Sequence, residues 1–401
     1  MISKAVGAAL VVSLLVVSVF SAATASGEPL RPVLEARAVM PADTFAPGPV
    51  SGQFITGGLR PHPFPSQPVQ GISAVLEAEP DSYWVMEDNG YGAKENSADF
   101  LLRMYHVTPH WETAAGGSGT VSIGDYIQLH DSDHKVPWPI VNDATVERAL
   151  TGADFDIESV RRAKDGTLWF GDEFGPFLVH TDASGKVLEA PFAVPGVKSP
   201  QNPTLAPGEA PNLPRSRGLE GMAISKDGKT LYPMLEGALT TDADQRRRFI
   251  YELDLETETF TGRRWQVHFD QAAYSLGDLT ALDEHRLLMI ERDPPSGPAA
   301  QFKRIFVLDL RDVGSDGFLV KRQVVDLLDI ADSNLISLPA RPGDFGLGDP
   351  FKFPFETIES VLPLDGERLL VINDNNYPFS AGRNPTLPDD DEFIVVRAAL
   401  H

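Results

Sequence analysis

The chain has 401 residues, 42% of them hydrophobic, a formal net charge of -23 and no cysteine. Such a charge repels nucleic acid and anionic lipid, and the missing cysteines exclude both disulfides and a lipid anchor attached through an N-terminal Cys. There is enough apolar material for one large core or two ordinary ones, held by packing or by bound ions.

In chain order, Lys4 precedes an apolar run over 5–20 and a small-residue stretch over 21–25, the form of a secretory signal cleaved after Ala25. The alternative reading is an uncleaved membrane anchor, although the run is slightly short for a span. An exported chain with no stable membrane insertion is therefore expected. Residues 26–64, rich in Pro and Gly, predict an extended entry segment with strands near 33–39 and 53–57, and the main domain is expected over 65–401. Short β-type runs follow at 83–86, 100–107, 126–129, 168–170, 231–235, 249–255, 287–290, 305–310, 369–372 and 393–396. The one helical candidate is 144–150.

Four segments repeat one form: an acidic residue in an apolar setting, a short strand, a turn often containing Asp-Gly, a second strand, and an acidic end. They are DFDIESVRRAKDGTLWFGDEFGPF, RGLEGMAISKDGKTLYPMLEG, SLGDLTALDEHRLLMIERD and FETIESVLPLDGERLLVINDNN, with QGISAVLEAEPDSYWVMEDNGYG as a weaker fifth. Repeated hairpins followed by outer strands such as FIYELDL and RIFVLDL predict an all-β propeller. Glu158, Glu220 and Asp278 lie about 60 residues apart, which predicts about six blades, or seven if an insertion hides one. The Pro/Gly-rich stretch 338–354 reads as a large loop. A pair of β-sandwiches is the rival architecture. In a closed ring the last strand, EFIVVRA, would pair with an N-terminal one and remove the exposed edges.

A propeller gathers equivalent positions of its inner strands around one axis. Glu158, Glu220 and Glu359 are equivalent, with Asp278 a looser match. A second set ends the following strand: Asp88 and Asn89, Asp172 and Glu173, Glu236, Glu291, Asp374 and Asn375. Each carboxylate of the first set heads an apolar face, Glu158 with Val160, Glu220 with Met222 and Glu359 with Val361. Carboxylates gathered in a partly dry channel repel one another unless a cation lies among them. Oxygen donors without His or Cys suit Ca2+ above Mg2+ or Mn2+.

The motifs DIESV, GDEFGPF, RGLEGMA, MIERD and NDNNYPFSAGR, followed by DDDEFIVVR, resemble the phytase-like domain, also described as "esterase-like activity of phytase", of exported bacterial proteins. The resemblance covers roughly residue 65 to the C-terminus. It implies a β-propeller whose recurrent Glu and Asp act in phosphoester or ester cleavage, on a small anionic ester. On that analogy Glu158, Glu220, Glu359, Asp172, Asp374 and Asn375 hold the metal, and Glu173 or Glu291 serves as general base. Arg217, Arg292 or Arg383 would hold the substrate anion, with Arg304 also beside the motifs.

Other signatures are missing: no G-x-S-x-G elbow, H-E-x-x-H, Walker loop or dinucleotide fingerprint occurs. HDSDH, with His130, Asp131, Asp133 and His134, is a weaker metal candidate outside the repeats. Two further functions fit the same sequence. One is a Ca2+-dependent lactonase or carboxylesterase of gluconolactonase-like type, needing fewer arginines at the mouth; the other is a non-catalytic propeller with a structural ion.

Overall fold

The computed structural model describes Met1 and residues 31–400, so the expected leader lies outside the described residues. Arg31–His401 make one compact unit. Alternation of apolar and polar residues, broken by Asp-Gly and similar turns, folds each repeat into an antiparallel sheet, and the repeat becomes a blade. The inner strands are Ile72–Glu77, Ile157–Arg162, Leu219–Ile224, Ser275–Ala281 and Thr357–Pro363. Each packs beside the next, and the fifth packs beside the first, so the ring closes. The second strands are Tyr83–Glu87, Leu168–Asp172, Thr230–Leu235, Arg286–Arg292 and Arg368–Asp374; the third are Arg103–His110, Phe177–Thr181, Arg247–Asp254, Lys303–Val313 and Asp391–Arg397. In chain order these are blades one to five.

The outer strands show how the ring is sealed. Blades one to four end on Thr120–Gln128, Phe192–Ala193, Thr259–His268 and Leu319–Asp326, but blade five takes its outer strand from the N-terminus, Val33–Met40. Val33 lies opposite Arg397 and Met40 opposite Asp391, antiparallel throughout. This is the N-to-C-terminal pairing that the sequence predicts. A parallel contact of Val39 with Thr120 then links blade five to blade one.

The architecture is the expected all-β propeller, yet the described residues form five blades rather than six or seven. The long interval between Asp278 and Glu359 hides no blade. It holds an irregular segment after Asp326 whose Ile330, Phe351, Phe353 and Phe355 are buried between blades four and five with Leu34, Ile290, Val371 and Ile394. The N-terminal segment completes a blade instead of beginning one, and the weakest repeat is a full blade. Residues 144–150 form turns, not a helix: Arg148 has φ 49°, and its guanidinium donates to the Asp131 carbonyl (3.0 Å) and carboxylate (2.9 Å). Residues 53–57 form no strand.

Candidate metal centre

At one position in every blade the pairing of inner and second strands slips by one residue. The breaks fall between Ile72 and Ala74, Ile157 and Ser159, Leu219 and Gly221, Leu276 and Asp278, and Ile358 and Ser360. A bulge leaves one residue unpaired and re-aims its side chain. The five unpaired residues are Ser73, Glu158, Glu220, Gly277 and Glu359. Each second strand delivers another residue beside the bulge, fifteen positions later (sixteen in blade three): Asp88, Glu173, Glu236, Arg292 and Asp374. Two tiers of five thus face one axis, mostly carboxylates and all buried.

Contacts across blades show the convergence. Oxygens of Asp156, Glu158 and Glu173 lie within 4.8 Å of one another, and so do oxygens of Glu173, Glu220 and Glu236, making two triads that share Glu173. Gly277 has no side chain to offer, and a Cβ there would stand 2.0 Å from the Ile358 carbonyl oxygen. From the same blade Arg292 reaches inward instead, donating to Glu359 (2.7 Å) and lying 3.6 Å from Glu220 and 4.0 Å from Glu236. Ser73 donates to the other oxygen of Glu359 at 3.1 Å. Near the mouth Arg217 pairs with Glu236 at 2.6 Å and donates to Ser275 at 2.9 Å.

Burial first, and then repulsion from neighbouring carboxylates, push Glu158, Glu173 and Glu220 well above the ordinary carboxylate range. Burial likewise raises Asp156 to about 7, Asp374 to about 8 and, against the pull of Arg292, Glu359 to about 8. Although burial acts to lower it, Arg292 is held above its usual value by Glu359, Glu220 and Glu236. Asp156 Oδ1, Glu173 Oε1 and Glu220 Oε1 are buried without a hydrogen-bond partner. Unpartnered buried oxygens with excess negative charge are what a hard divalent cation needs, so the residues fit one.

The structure brings together Glu158, Glu173, Glu220, Glu359 and Arg292, with Arg217 at the mouth and Asp374 beside Asp88 on the blade-one side. Four other candidates do not join the cluster. Asp172 spends its oxygens on the amides of Asp156 (3.0 Å) and Gly175 (2.7 Å), and so shapes the loop that presents Asp156 and Glu173. Asn375 accepts from the amides of Gly71 (3.2 Å) and Tyr377 (3.3 Å). Glu291 faces away from its neighbour Arg292, accepting from the Asp270 amide at 2.6 Å and from Lys321. Arg383 is buried under the segment after Asp326: it grips Glu392 at 2.7 and 2.9 Å and donates to the carbonyls of Phe345 and Lys352, so four of its five N–H groups are spent and the side chain, 1% exposed, is shut away from a substrate.

Two other sequence candidates are also consumed locally. Asp278 is held by Arg161 (3.1 Å) and the Val361 amide (2.9 Å), and Asp131 by Arg148 and the amides of Lys135 and Val136. Asp156 and Arg248 are new. Asp156 stands two residues before Glu158, and that spacing was the available signal; nothing in the sequence marked Arg248.

A model of the family described as phytase-like, "esterase-like activity of phytase", matches residues 67–377. The chain belongs to the phytase-like family. That membership points to hydrolase-type chemistry. The phytase-like chain is also similar to an uncharacterized secreted protein of Arthroderma benhamiae, with 28% identity over 111 residues, 23% of this chain and 22% of that protein, so the match spans about a fifth of the relative. Among solved structures it is similar to a luciferin-regenerating enzyme (13% identity, 82% and 81% of the two chains, TM-score 0.38). It is also similar to a GH43 β-1,3-galactosidase (8% identity, 84% and 60%, TM-score 0.42). No helix among the described residues is long and apolar enough to cross a membrane.

Proposed function

We propose that this phytase-like chain is an exported, metal-dependent hydrolase of phosphate esters or phosphodiesters. The observation that carries the reading is the pair of buried triads around Glu173 with unpartnered oxygens. Asp156, Glu158, Glu173 and Glu220 would hold the cation, with Ca2+ favoured by an all-oxygen donor set. A bound divalent ion there polarises a phosphoryl or carbonyl oxygen and lowers the pKa of water. This moves Glu173 from the role of base to that of ligand.

The chain's own residues supply the rest. A cavity of about 180 Å3, lined by Arg217, Arg248, Tyr274, Ser275 and Glu236, opens beside the triads. Glu236 is the one cluster carboxylate on its wall, which makes it the candidate base for an attacking water. Arg217 and Arg248 give the cavity its positive charge. Arg248 is buried, donates only to backbone carbonyls, and has an Nε without a partner; burial lowers its pKa to about 10. An anionic group entering beside it would regain the electrostatic stabilisation that burial has removed. Arg292 is spent on Glu359, where it balances the cluster's charge.

With Arg383 and Arg292 withdrawn from anion binding, only two arginines face the cavity. That favours a second reading, a lactonase or carboxylesterase using the same centre. The test is metal analysis of purified protein followed by turnover of a phosphomonoester, a phosphodiester and a lactone before and after chelation. We expect chelator-sensitive turnover of a phosphate ester, abolished together with metal content in Glu220→Gln. Turnover of the lactone alone would move the assignment to the second reading. Loss of heat stability on chelation with no turnover at all would make the ion structural.

A further inference from the structure

On the outer side of the ring, between blades two and three, lies a second constellation of different chemistry. His180, on the third strand of blade two, pairs across the sheet with Trp169, and the two rings stack with centroids 4.0 Å apart and planes 15° apart. His180 is only 7% exposed. Its Nδ1 lies 2.6 Å from Glu189 Oε1, while its Nε2 is buried with no hydrogen-bond partner. Glu258 comes from the other blade, in the turn between Arg247–Asp254 and Thr259–His268. A ring nitrogen of His180 and carboxylate oxygens of Glu189 and Glu258 lie within 4.8 Å of one another. Trp169, His180 and Glu258 line a cavity of about 240 Å3, together with Asp165, Lys164 and Lys229.

We propose that His180, Glu189 and Glu258 form a binding site for a borderline transition-metal ion of the Zn2+ class, stapling blade two to blade three. An unpartnered buried imidazole nitrogen in the same cluster is costly without a ligand. One imidazole with two carboxylates suits Zn2+, Co2+, Ni2+ or Cu2+, whereas the channel centre offers oxygens alone and suits Ca2+. The two carboxylates balance a divalent charge, and water completes the coordination from the open side, where Glu258 is only partly buried and its neighbours Thr257 and Thr259 are exposed. Lys164 and Lys229, on the same wall, repel a cation from the rim, so the site selects by its donors rather than by field. Because the ligands come from two blades, the ion binds the closed ring and raises its stability by mass action.

The test uses the tag-free full chain in excess Ca2+, titrated with Zn2+ by calorimetry and with Co2+ by absorption and tryptophan fluorescence. The expected result is one equivalent of Zn2+ bound, with Co2+ quenching emission through the Trp169 stack. Glu258→Gln, at an exposed turn that leaves folding intact, should weaken Zn2+ binding at least tenfold, and His180→Ala should abolish both binding and quenching. No Zn2+ uptake by the unaltered chain in excess Ca2+, or uptake undiminished in Glu258→Gln, overturns the proposal.

Discussion

Two adjacent residues on one strand show how little separates a site residue from a structural one. Arg292 turns into the channel and Glu291 turns out to Lys321, because successive side chains of a strand point to opposite faces. Arg383 makes the same point through burial. A guanidinium buried to 1% exposure, with four of its five N–H groups spent on one carboxylate and two carbonyls, holds segments together. Arg383→Ala should therefore cost about 3 kcal/mol of stability in urea unfolding, because Glu392 is left partly uncompensated, while metal content stays unchanged. A loss of metal in that variant would place Arg383 back in the site.

Glu392 carries a pH dependence of its own. Burial acts to raise its pKa, but Arg37 and Arg383 outweigh it and hold the group at about 2. A carboxylate depressed in the folded state contributes stability that is complete above its unfolded pKa of about 4.3 and is lost as pH falls through about 2. The expected contribution is on the order of 3 kcal/mol, disappearing over that acid window. Unfolding of the parent should steepen between about pH 4 and pH 2, and Glu392→Gln should flatten that limb. An identical acid limb in both proteins would contradict the assignment.

At the scale of the element, the bulge on the inner strand governs the centre. It selects which residue of each repeat reaches the axis, and the hairpin length then fixes its partner fifteen or sixteen residues on. The acidic repeat was visible in the sequence, and it located Glu158, Glu220 and Glu359. The slip was not visible, so Asp278 looked like the blade-four equivalent although Gly277 occupies the bulge. The constant spacing, applied from the bulge residue, selects Glu173 over Asp172, Arg292 over Glu291 and Asp374 over Asn375. Without the bulge the choice within each pair is a matter of strand phase, and a one-residue error inverts it.

Gly277 is consequently the least replaceable member of the inner tier. Its missing side chain lets blades four and five approach until the site of a Cβ is 2.0 Å from a backbone carbonyl, and a backbone cannot yield as a side chain can. Gly277→Ala should lower stability by about 2 kcal/mol or more, read as a reduced urea midpoint with unchanged slope. Ser73→Ala, at the equivalent bulge in blade one, removes only a hydroxyl donor to Glu359 and should cost about 1 kcal/mol. Equal effects at the two positions would mean that packing between inner strands does not set the geometry of the ring.

For the whole molecule, blade count and closure were legible to different degrees. Counting by pitch failed because the interval between blades four and five carries a long irregular segment that packs as core, and length alone cannot tell such a segment from a blade. Closure was legible because EFIVVRA, as the last strand, needs a partner on each edge if no edge is to stay exposed. Val33–Met40 supplies one of them, burying Leu34, Ala36, Ala38 and Met40 while the alternate residues are only half-buried. Leu34 and Met40 alone contribute roughly 4 kcal/mol of burial. Removing the chain through residue 40 should leave Asp391–Arg397 as a long apolar edge, which is a template for pairing with another molecule. The truncated protein is expected to unfold at lower urea and to self-associate in size-exclusion chromatography. A synthetic peptide of residues 33–40 added in trans should reverse both effects only at high concentration, since the intact chain holds this strand at a large effective concentration. A monomeric truncation with an unchanged midpoint would show that the inner strands alone keep the ring shut.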